Sequence, residues 1–184
     1  MKLIFVRHGK SLANASATIG VPDTKLAEEG IDQARKTGQD LRGLNVTAIT
    51  CSPFIRAQQT AELIAGELGI AITDITIIDE LHERRMGKLE GGPRHHDTIK
   101  MEFFYENDTE FGFESQAELI ARINHGLAKV KTIASQTSGA TLVVGHAVST
   151  FYSLQIAQGR QQLSQFDAIN QMDNAEFIEL YLKD

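Results

Sequence analysis

The chain has little cysteine, no excess of positive charge and no long apolar run, and each absence argues against a class of protein. Its one cysteine, Cys51, excludes an internal disulfide and favours a reducing compartment. A formal net charge of −6 over 184 residues argues against a nucleic-acid or anionic-membrane surface, which requires a basic patch. Residues 2–6 are already strand-like, so we expect neither secretion nor membrane insertion, and a cytoplasmic location.

Internal repeats and low-complexity tracts are also absent, and the composition is that of an ordinary globular protein. Hydrophobic residues make up 42% of the chain and charged residues 23%. This length and composition predict a single domain over 1–184. Glycine, proline and clustered aromatic residues interrupt the pattern at about 91–113, where we expect a short, partly helical insertion over the sheet.

Apolar strand-like runs alternate with helical periodicity, which predicts a three-layer α/β/α sandwich with a mostly parallel central sheet. Ser52-Pro53 is typical of a helix N-cap with proline in the first turn, and Gly69 of a helix end. The predicted helices cover about 27–41, 52–68, 115–135 and 149–157. The predicted strands cover 2–6, 46–51, 75–78 and 140–145, with weaker candidates at 166–169 and 176–182.

Two of the apolar runs end in histidine, and this is the clearest sign of chemistry. One stops at Arg7-His8-Gly9 and another at His146. Ligands of open α/β sheets bind outside the carboxyl ends of the strands, so we expect one shared site. A neutral His8 can attack phosphorus and form a phosphohistidine, provided that an acceptor such as the Gly9 carbonyl fixes its tautomer. A structural hydrogen bond is the usual role of an isolated histidine, but the flanking Arg7 and Gly9 favour catalysis.

Two cationic side chains extend this hypothesis. The guanidinium fork of Arg7 matches phosphate oxygens. Arg56 lies in the first turns of a predicted helix whose N-terminus attracts anions, although a lone helical arginine is more often solvated. With His146 they would form a ring that stabilises a transferring phosphoryl group without a metal.

A phosphomonoester also needs a general acid, because its alkoxide leaving group is poor. Glu80, Glu83 and Glu90 are candidates that local pattern does not separate. The pair His95-His96 lacks cysteine or acidic neighbours at zinc-like spacing, so we expect no metal site there.

Taken together, these motifs resemble the histidine phosphatase superfamily, which has the phosphoglycerate-mutase-like fold. The similarity runs through nearly the whole chain, with four motifs in the family's order and spacing. The matching positions are Arg7, His8, Gly9, Ser11, Asn14, Gly20, Asp23, Leu26, Gly30, Gln33, Ala34, Ser52, Pro53, Arg56, Ala57, Thr60, Ala61, Leu81, Glu83, Gly87, Glu90, Gly91, Glu114, Ser115, Arg122, Gly145 and His146.

The resemblance implies a site without metal or cofactor in which His8 becomes phosphorylated. It assigns proton donation to Glu83 rather than to Glu80 or Glu90, and a polar contact to Asn14. The phosphate pocket that it implies is formed by Arg7, His8, Arg56 and His146.

Three positions depart from the family pattern. Lys10 replaces an acidic or amide residue, and either changes the charge at the pocket mouth or points to solvent. Leu89 stands where a tryptophan is usual, and Ala147 follows His146 where many members have glycine. These departures bear on the substrate more than on the chemistry.

The predicted function is a metal-independent phosphomonoesterase that acts on a small phosphorylated metabolite and binds phosphate or another oxyanion, as a monomer or a homodimer. The alternatives are a phosphoglycerate mutase, a phosphoprotein phosphatase and a weakly active binding module. A mutase needs extra cations and a long cover over the site. No lysine or arginine lies between Asn14 and Thr24, and the 91–113 insertion is short, so hydrolysis is favoured.

Overall fold

A computed structural model describes residues 1–94, 111–164, 166 and 171–182 of the chain. The strands within these residues are β1 Lys2–Arg7, β2 Val46–Cys51, β3 Ile75–Ile77, β4 Ala140–Gly145 and β5 Phe177–Tyr181. They form one sheet in the order β3-β2-β4-β1-β5. Strands β1 to β4 are parallel, and β5 pairs antiparallel with β1 at one edge. The mostly parallel sheet is therefore as predicted.

The helices of the described residues cover both faces of this sheet. They are α1 Leu12–Ala15, α2 Glu28–Leu41, α3 Ile55–Leu68, α4 Gln116–Ser135 and α5 Ala147–Ala157, with 3-10 turns at Ile72–Asp74, Asp79–Leu81 and Gly87–Leu89. Helix α4 begins with a capping box in which Ser115 and Glu118 satisfy each other's backbone N–H groups. Helix α3 ends at Gly69, whose φ of 71° suits glycine.

The alternation of side chains along β1 explains the layers. Leu3 and Phe5 point to one face, where they join the core formed with α4 and α5. Ile4 and Val6 point to the other, where they pack with α2 and α3. All four are fully buried, because successive side chains of a strand face opposite sides and both sides are covered. The predicted three-layer α/β/α sandwich is confirmed.

Some boundaries differ from the sequence-based expectations. Helix α3 begins at Ile55, not at Ser52-Pro53, so the N-cap interpretation of Ser52 is wrong. The Ser52 side chain instead faces the carboxyl edge of the sheet, and Phe54 takes the N-cap position. Helix α5 begins at Ala147, two residues before the expected start, and the loop after β1 contains the short helix α1.

Several predictions concern residues that the structure does not describe. They are the helical content of 95–110, the surroundings of the His95-His96 pair, and most of the strand predicted at 166–169. The described ends of the insertion, Gly91 to Arg94 and Phe111 to Phe113, are not helical. The single-domain assignment for 1–184 stays a prediction.

Candidate active site

The register of the parallel strands places the two histidines side by side. Arg7, the last residue of β1, is the partner of Gly145, the last residue of β4. His8 and His146 follow these two residues and are both buried, with ring centroids 5.1 Å apart in an edge-to-face arrangement. The His8 backbone N–H also donates to the Gly145 carbonyl at 2.9 Å. The carboxyl edge of the sheet thus brings both imidazoles together.

Hydrogen bonds fix the tautomer of His8. Its Nδ1–H donates to the Gly9 carbonyl at 2.6 Å. Its Nε2 accepts from Arg56 Nε–H at 3.2 Å, so this nitrogen carries a lone pair. Burial, followed by the charge of Arg56, lowers the pKa of His8 well below its ordinary value of 6.5. The ring is therefore neutral at neutral pH, with the Nε2 lone pair facing Arg56.

Arg7 and Arg56 place two buried guanidinium groups at the site, only 7% and 4% exposed. Arg56 Nη1 donates to the Val21 carbonyl at 2.9 Å, and Arg7 Nη1 donates to the Met172 carbonyl. Burial lowers the pKa of Arg56 to about 10 and also lowers that of Arg7, while the charge of Glu83 opposes both shifts. Arg7 Nε is buried without a hydrogen-bond partner in the described part of the chain. Such a donor suits an anionic ligand.

Sequence analysis missed Ser52 as a residue of the site. Its Oγ lies 2.7 Å from His146 Nε2 and accepts from the Phe54 backbone N–H at 3.2 Å. His146 Nδ1 is buried and has no partner among the described residues. Burial, followed by the charge of Arg56, lowers the pKa of His146 well below 6.5. Ser52 follows directly after β2, and this position at the carboxyl end of a strand was the signal that could have identified it.

Glu83 binds the N-terminus of α5. Its Oε1 accepts from the backbone N–H groups of Arg84 and Ser149, both at 2.9 Å, and its Oε2 accepts from Val148 N–H at 3.1 Å. Helix N-termini bind carboxylates in this way. Of the three bonds, Oε1 takes two and Oε2 takes one.

The two rival carboxylates have other hydrogen-bond partners. Glu80 pairs with Lys129 of α4. Glu90 accepts from the Met86 backbone N–H at 2.9 Å. Of the three, Glu83 has the largest opposing effect on the lowered pKa of both buried arginines of the site. The charge of Glu83 therefore acts on the cations of the site more than those of Glu80 and Glu90 do.

Asn14 and Lys10 lie in the loop after β1, and both have partners there. Asn14 Oδ1 accepts from Ser11 N–H at 3.1 Å and from Ser11 Oγ–H at 2.9 Å, while its Nδ2 makes no hydrogen bond to the residues described. Lys10 Nζ forms an ion pair with Glu29 of α2 at 2.6 Å. Lys10 is thus bound to the α2 surface rather than being a free cation at the pocket mouth.

Arg94 is a further cation that sequence analysis did not single out. Its charge contributes to lowering the pKa of Arg7, His8 and Arg56, which places it near the site. Its backbone N–H donates to the Ala17 carbonyl at 2.7 Å, so the start of the 91–113 segment docks onto the loop after β1. This docking brings Arg94 close to residues that are far away in sequence.

Within 1–94, 111–164, 166 and 171–182, no three His, Cys, Asp or Glu side chains are placed to share a metal ion. None of the helices in these ranges combines the length and apolar character that a membrane span requires.

The mostly parallel sheet, with two histidines paired at its carboxyl edge, has the features that the motifs predict for a histidine phosphatase. The family model of the histidine phosphatase superfamily (branch 1) matches residues 3–184, and the chain belongs to this superfamily. It is a histidine-type phosphatase, as the sequence motifs predicted.

Three proteins illustrate what the chain is similar to. An uncharacterised phosphatase, PhoE, of Bacillus subtilis (strain 168) is 31% identical over 177 residues, 95% of this chain and 87% of the relative. A probable phosphoglycerate mutase, GpmB, of Erwinia tasmaniensis is 38% identical over 92 residues, but these are only 49% of this chain and 41% of the relative. The mycobacterial glucosyl-3-phosphoglycerate phosphatase in complex with VO3 has a TM-score of 0.78 at 21% identity, covering 98% of this chain and 90% of that structure. The last likeness shows a shared fold.

Proposed function

We propose that the protein hydrolyses a small phosphomonoester through a phosphohistidine on His8, without a metal. The observation that carries this proposal is the state of His8. Its Nδ1–H is bound to the Gly9 carbonyl, and its Nε2 lone pair faces Arg56 Nε at 3.2 Å. A neutral imidazole held in this tautomer can attack phosphorus without first losing a proton.

The first half-reaction transfers the phosphoryl group to the enzyme. His8 Nε2 forms a bond to phosphorus as the bond to the ester oxygen breaks, and Glu83 gives a proton to the leaving alkoxide. The buried guanidinium groups of Arg7 and Arg56, with His146, stabilise the negative charge on the equatorial oxygens. Asn14 Nδ2 supplies a further polar contact.

The second half-reaction returns the enzyme to its starting state. Water attacks the phosphorus of phosphohistidine, the bond to His8 Nε2 breaks, and Glu83 takes the proton that the water loses. Inorganic phosphate leaves, and one ester has consumed one water. Glu83 thus acts as acid and then as base.

The substrate class is a small phosphorylated metabolite. The relatives include a phosphatase, PhoE, and the chain shares its fold with a mycobacterial glucosyl-3-phosphoglycerate phosphatase. The net charge of −6 gives little attraction to phosphorylated peptides, which places a phosphoprotein below a metabolite. We also propose a cytoplasmic location, where the buried free thiol of Cys51 stays reduced.

Replacement of the nucleophile tests the proposal. His8→Ala is expected to abolish hydrolysis of p-nitrophenyl phosphate, while EDTA leaves the wild-type rate unchanged. His125, exposed on α4, provides the matched control, and His125→Ala should retain full activity. Equal turnover by wild type and His8→Ala would support the binding-module alternative, and loss of activity with EDTA would contradict the metal-free mechanism.

Phosphoglycerate mutase is the second candidate, because of the 38% identity to GpmB over half of the chain. Incubation with 3-phosphoglycerate and bisphosphoglycerate separates the two functions. Release of inorganic phosphate without isomerisation is the expected result. Isomerisation faster than phosphate release would reverse the choice.

A further inference from the structure

The loop that carries Glu83 is held by an ion pair that does not itself belong to the phosphate pocket. Arg122 of α4 forms a two-pronged bond with Glu114: Nε lies 2.6 Å from Oε1, and Nη2 lies 2.7 Å from Oε2. The two side chains are only 14% and 9% exposed. A buried ion pair contributes little net stability, because the cost of desolvating both charges offsets much of their attraction. Stability alone therefore does not explain why this pair is present.

The remaining donor groups of the pair are directed at the backbone on the N-terminal side of Glu83. Arg122 Nη1 donates to the Glu80 carbonyl at 2.6 Å and to the His82 carbonyl at 2.9 Å. A single nitrogen of the Arg122 guanidinium group therefore holds the backbone between the Asp79–Leu81 turn and Glu83.

Glu114 holds the chain on the other side of Glu83. Its Oε2 accepts from the Arg85 backbone N–H at 3.3 Å, and its own N–H donates to the Arg85 carbonyl at 3.0 Å. Its carbonyl also accepts from Arg84 Nε–H at 2.9 Å. Glu83 thus stands between two backbone segments that are both tied to the same ion pair.

We propose that Arg122 and Glu114 are positioning residues that set the place of the Glu83 carboxyl group relative to the leaving oxygen. This inference rests on the proposed role of Glu83 as proton donor. A proton donor must lie within hydrogen-bond reach of the atom that it protonates, and a displacement of about 1 Å lowers the rate strongly. The hydrogen bonds of both residues go to each other and to the chain on either side of Glu83, so they act on the reaction by positioning Glu83.

The leaving group provides a readout that a merely structural role would not change. An alkyl phosphate such as glycerol phosphate needs protonation of its alkoxide, whereas p-nitrophenyl phosphate has a stable leaving group. Arg122→Gln and Glu114→Gln should each lower kcat for the alkyl ester at least about tenfold more than for the aryl ester. Arg122→Lys keeps the charge but loses the fork, and should show a smaller selective loss with an intact fold.

A neighbouring ion pair supplies the matched control. Lys129, also on α4, pairs with the Glu80 side chain and so joins the same helix to the same turn, but it donates no hydrogen bond to the backbone around Glu83. Lys129→Gln should therefore leave the ratio of the two rates unchanged. Vanadate affinity, which reports on the phosphate pocket, should be the same in all these variants.

Double variants separate failure of this inference from failure of the proposed function. Glu83→Gln alone should show the selective loss, and Arg122→Gln added to it should cause no further selective loss. If Glu83→Gln discriminates between the esters but Arg122→Lys and Glu114→Gln lower both rates equally, the positioning role is overturned and the proposed function stands. If Glu83→Gln itself does not discriminate, the acid role of Glu83 is wrong, and with it the inference. His8→Ala tests the nucleophile separately.

Discussion

At the scale of single residues, the site works by keeping its bases neutral and its cations desolvated. His8 and His146 are buried, and burial, followed by the charge of Arg56, holds the pKa of each well below 6.5. The buried cations repel one another and have lost their hydration, and both effects are unfavourable. A bound phosphoryl dianion would reduce both. Arg7 Nε and His146 Nδ1, both buried without a partner among the described residues, are polar groups that such a ligand could engage.

Removal of the Ser52 hydroxyl is the first prediction. Ser52→Ala leaves His146 Nε2, which lies 2.7 Å from Oγ, buried without a partner. We expect the free energy of unfolding to fall by about 1–3 kcal/mol, as for other unsatisfied buried groups. We also expect the His146 ring to lose the hydrogen bond that orients it, and kcat to fall. Urea denaturation and the ¹⁵N shifts of the His146 ring measure the two effects.

Ser135→Ala, on the exposed surface of α4, is the control for loss of a hydroxyl. It should change the free energy of unfolding by less than about 0.5 kcal/mol and leave the His146 shifts unaltered. Unchanged ring shifts in Ser52→Ala would show that another group orients the ring.

At the scale of secondary structure elements, the start of α2 lies backbone to backbone against the loop after β1. A Cβ added to Gly30 would lie 2.0 Å from the Lys10 carbonyl oxygen, and one added to Gly9 would lie 2.4 Å from the Gly30 carbonyl oxygen. Real Cβ atoms do not approach so closely. The contact fixes the turn after His8, whose Nδ1 is bound to the Gly9 carbonyl.

Gly30→Ala is therefore predicted to destabilise the protein, although alanine favours an isolated helix. We expect a loss of about 1–3 kcal/mol in the free energy of unfolding, because the methyl group overpacks a rigid backbone contact. Gly66→Ala in α3 is the matched control, since its Cβ would meet nothing within 4 Å. It should stabilise by about 0.5–1 kcal/mol. The midpoints of urea denaturation measure both effects, provided that the dependence of the free energy of unfolding on urea concentration is unchanged. A neutral or stabilising effect of Gly30→Ala would contradict the close contact.

The elements also show which features sequence reasoning could reach. The apolar runs and helical periodicity identify the sheet and its two helical layers, because burial on both faces leaves a strong pattern. Strand-end placement identifies His8 and His146. The start of α3 was misjudged because Ser52-Pro53 has the composition of an N-cap. Which atom Ser52 binds depends on the packing of β4 beside β2, and a local pattern does not contain that information.

At the scale of the whole molecule, charge is distributed unevenly. The net charge is −6, yet Arg7 and Arg56 are buried at the site and Arg94 lies near them. The 91–94 segment reaches the site by backbone bonds to the loop after β1, including Ile19 N–H to the Gly92 carbonyl at 2.8 Å. The sequence pattern predicts an insertion here but gives Arg94 no role in the site. The reason is that Arg94 comes near the site only through contacts between residues far apart in sequence. Local positive charge in an acidic protein suits a small anion better than a large acidic surface.

The buried histidines also make the stability of the whole molecule depend on pH. Unfolding exposes His8 and His146 and returns each pKa toward 6.5, so the unfolded chain binds more protons below that pH. Above 6.5 both states are unprotonated at these sites, and the full stability is present. As the pH falls below 6.5, the free energy of unfolding should decrease by up to about 1.4 kcal/mol per pH unit for each histidine, until the folded pKa is reached.

Urea unfolding between pH 8 and about pH 5 measures this linkage, since most carboxylates remain ionised in that range. His146→Asn removes one of the two titrating groups, so its stability should fall less steeply with decreasing pH than that of the wild type, whatever its absolute value. A slope of zero below pH 6.5 in the wild type would mean that the two rings are protonated equally in the folded and unfolded states. The lowered pKa that keeps His8 neutral for direct attack on phosphorus would then be absent.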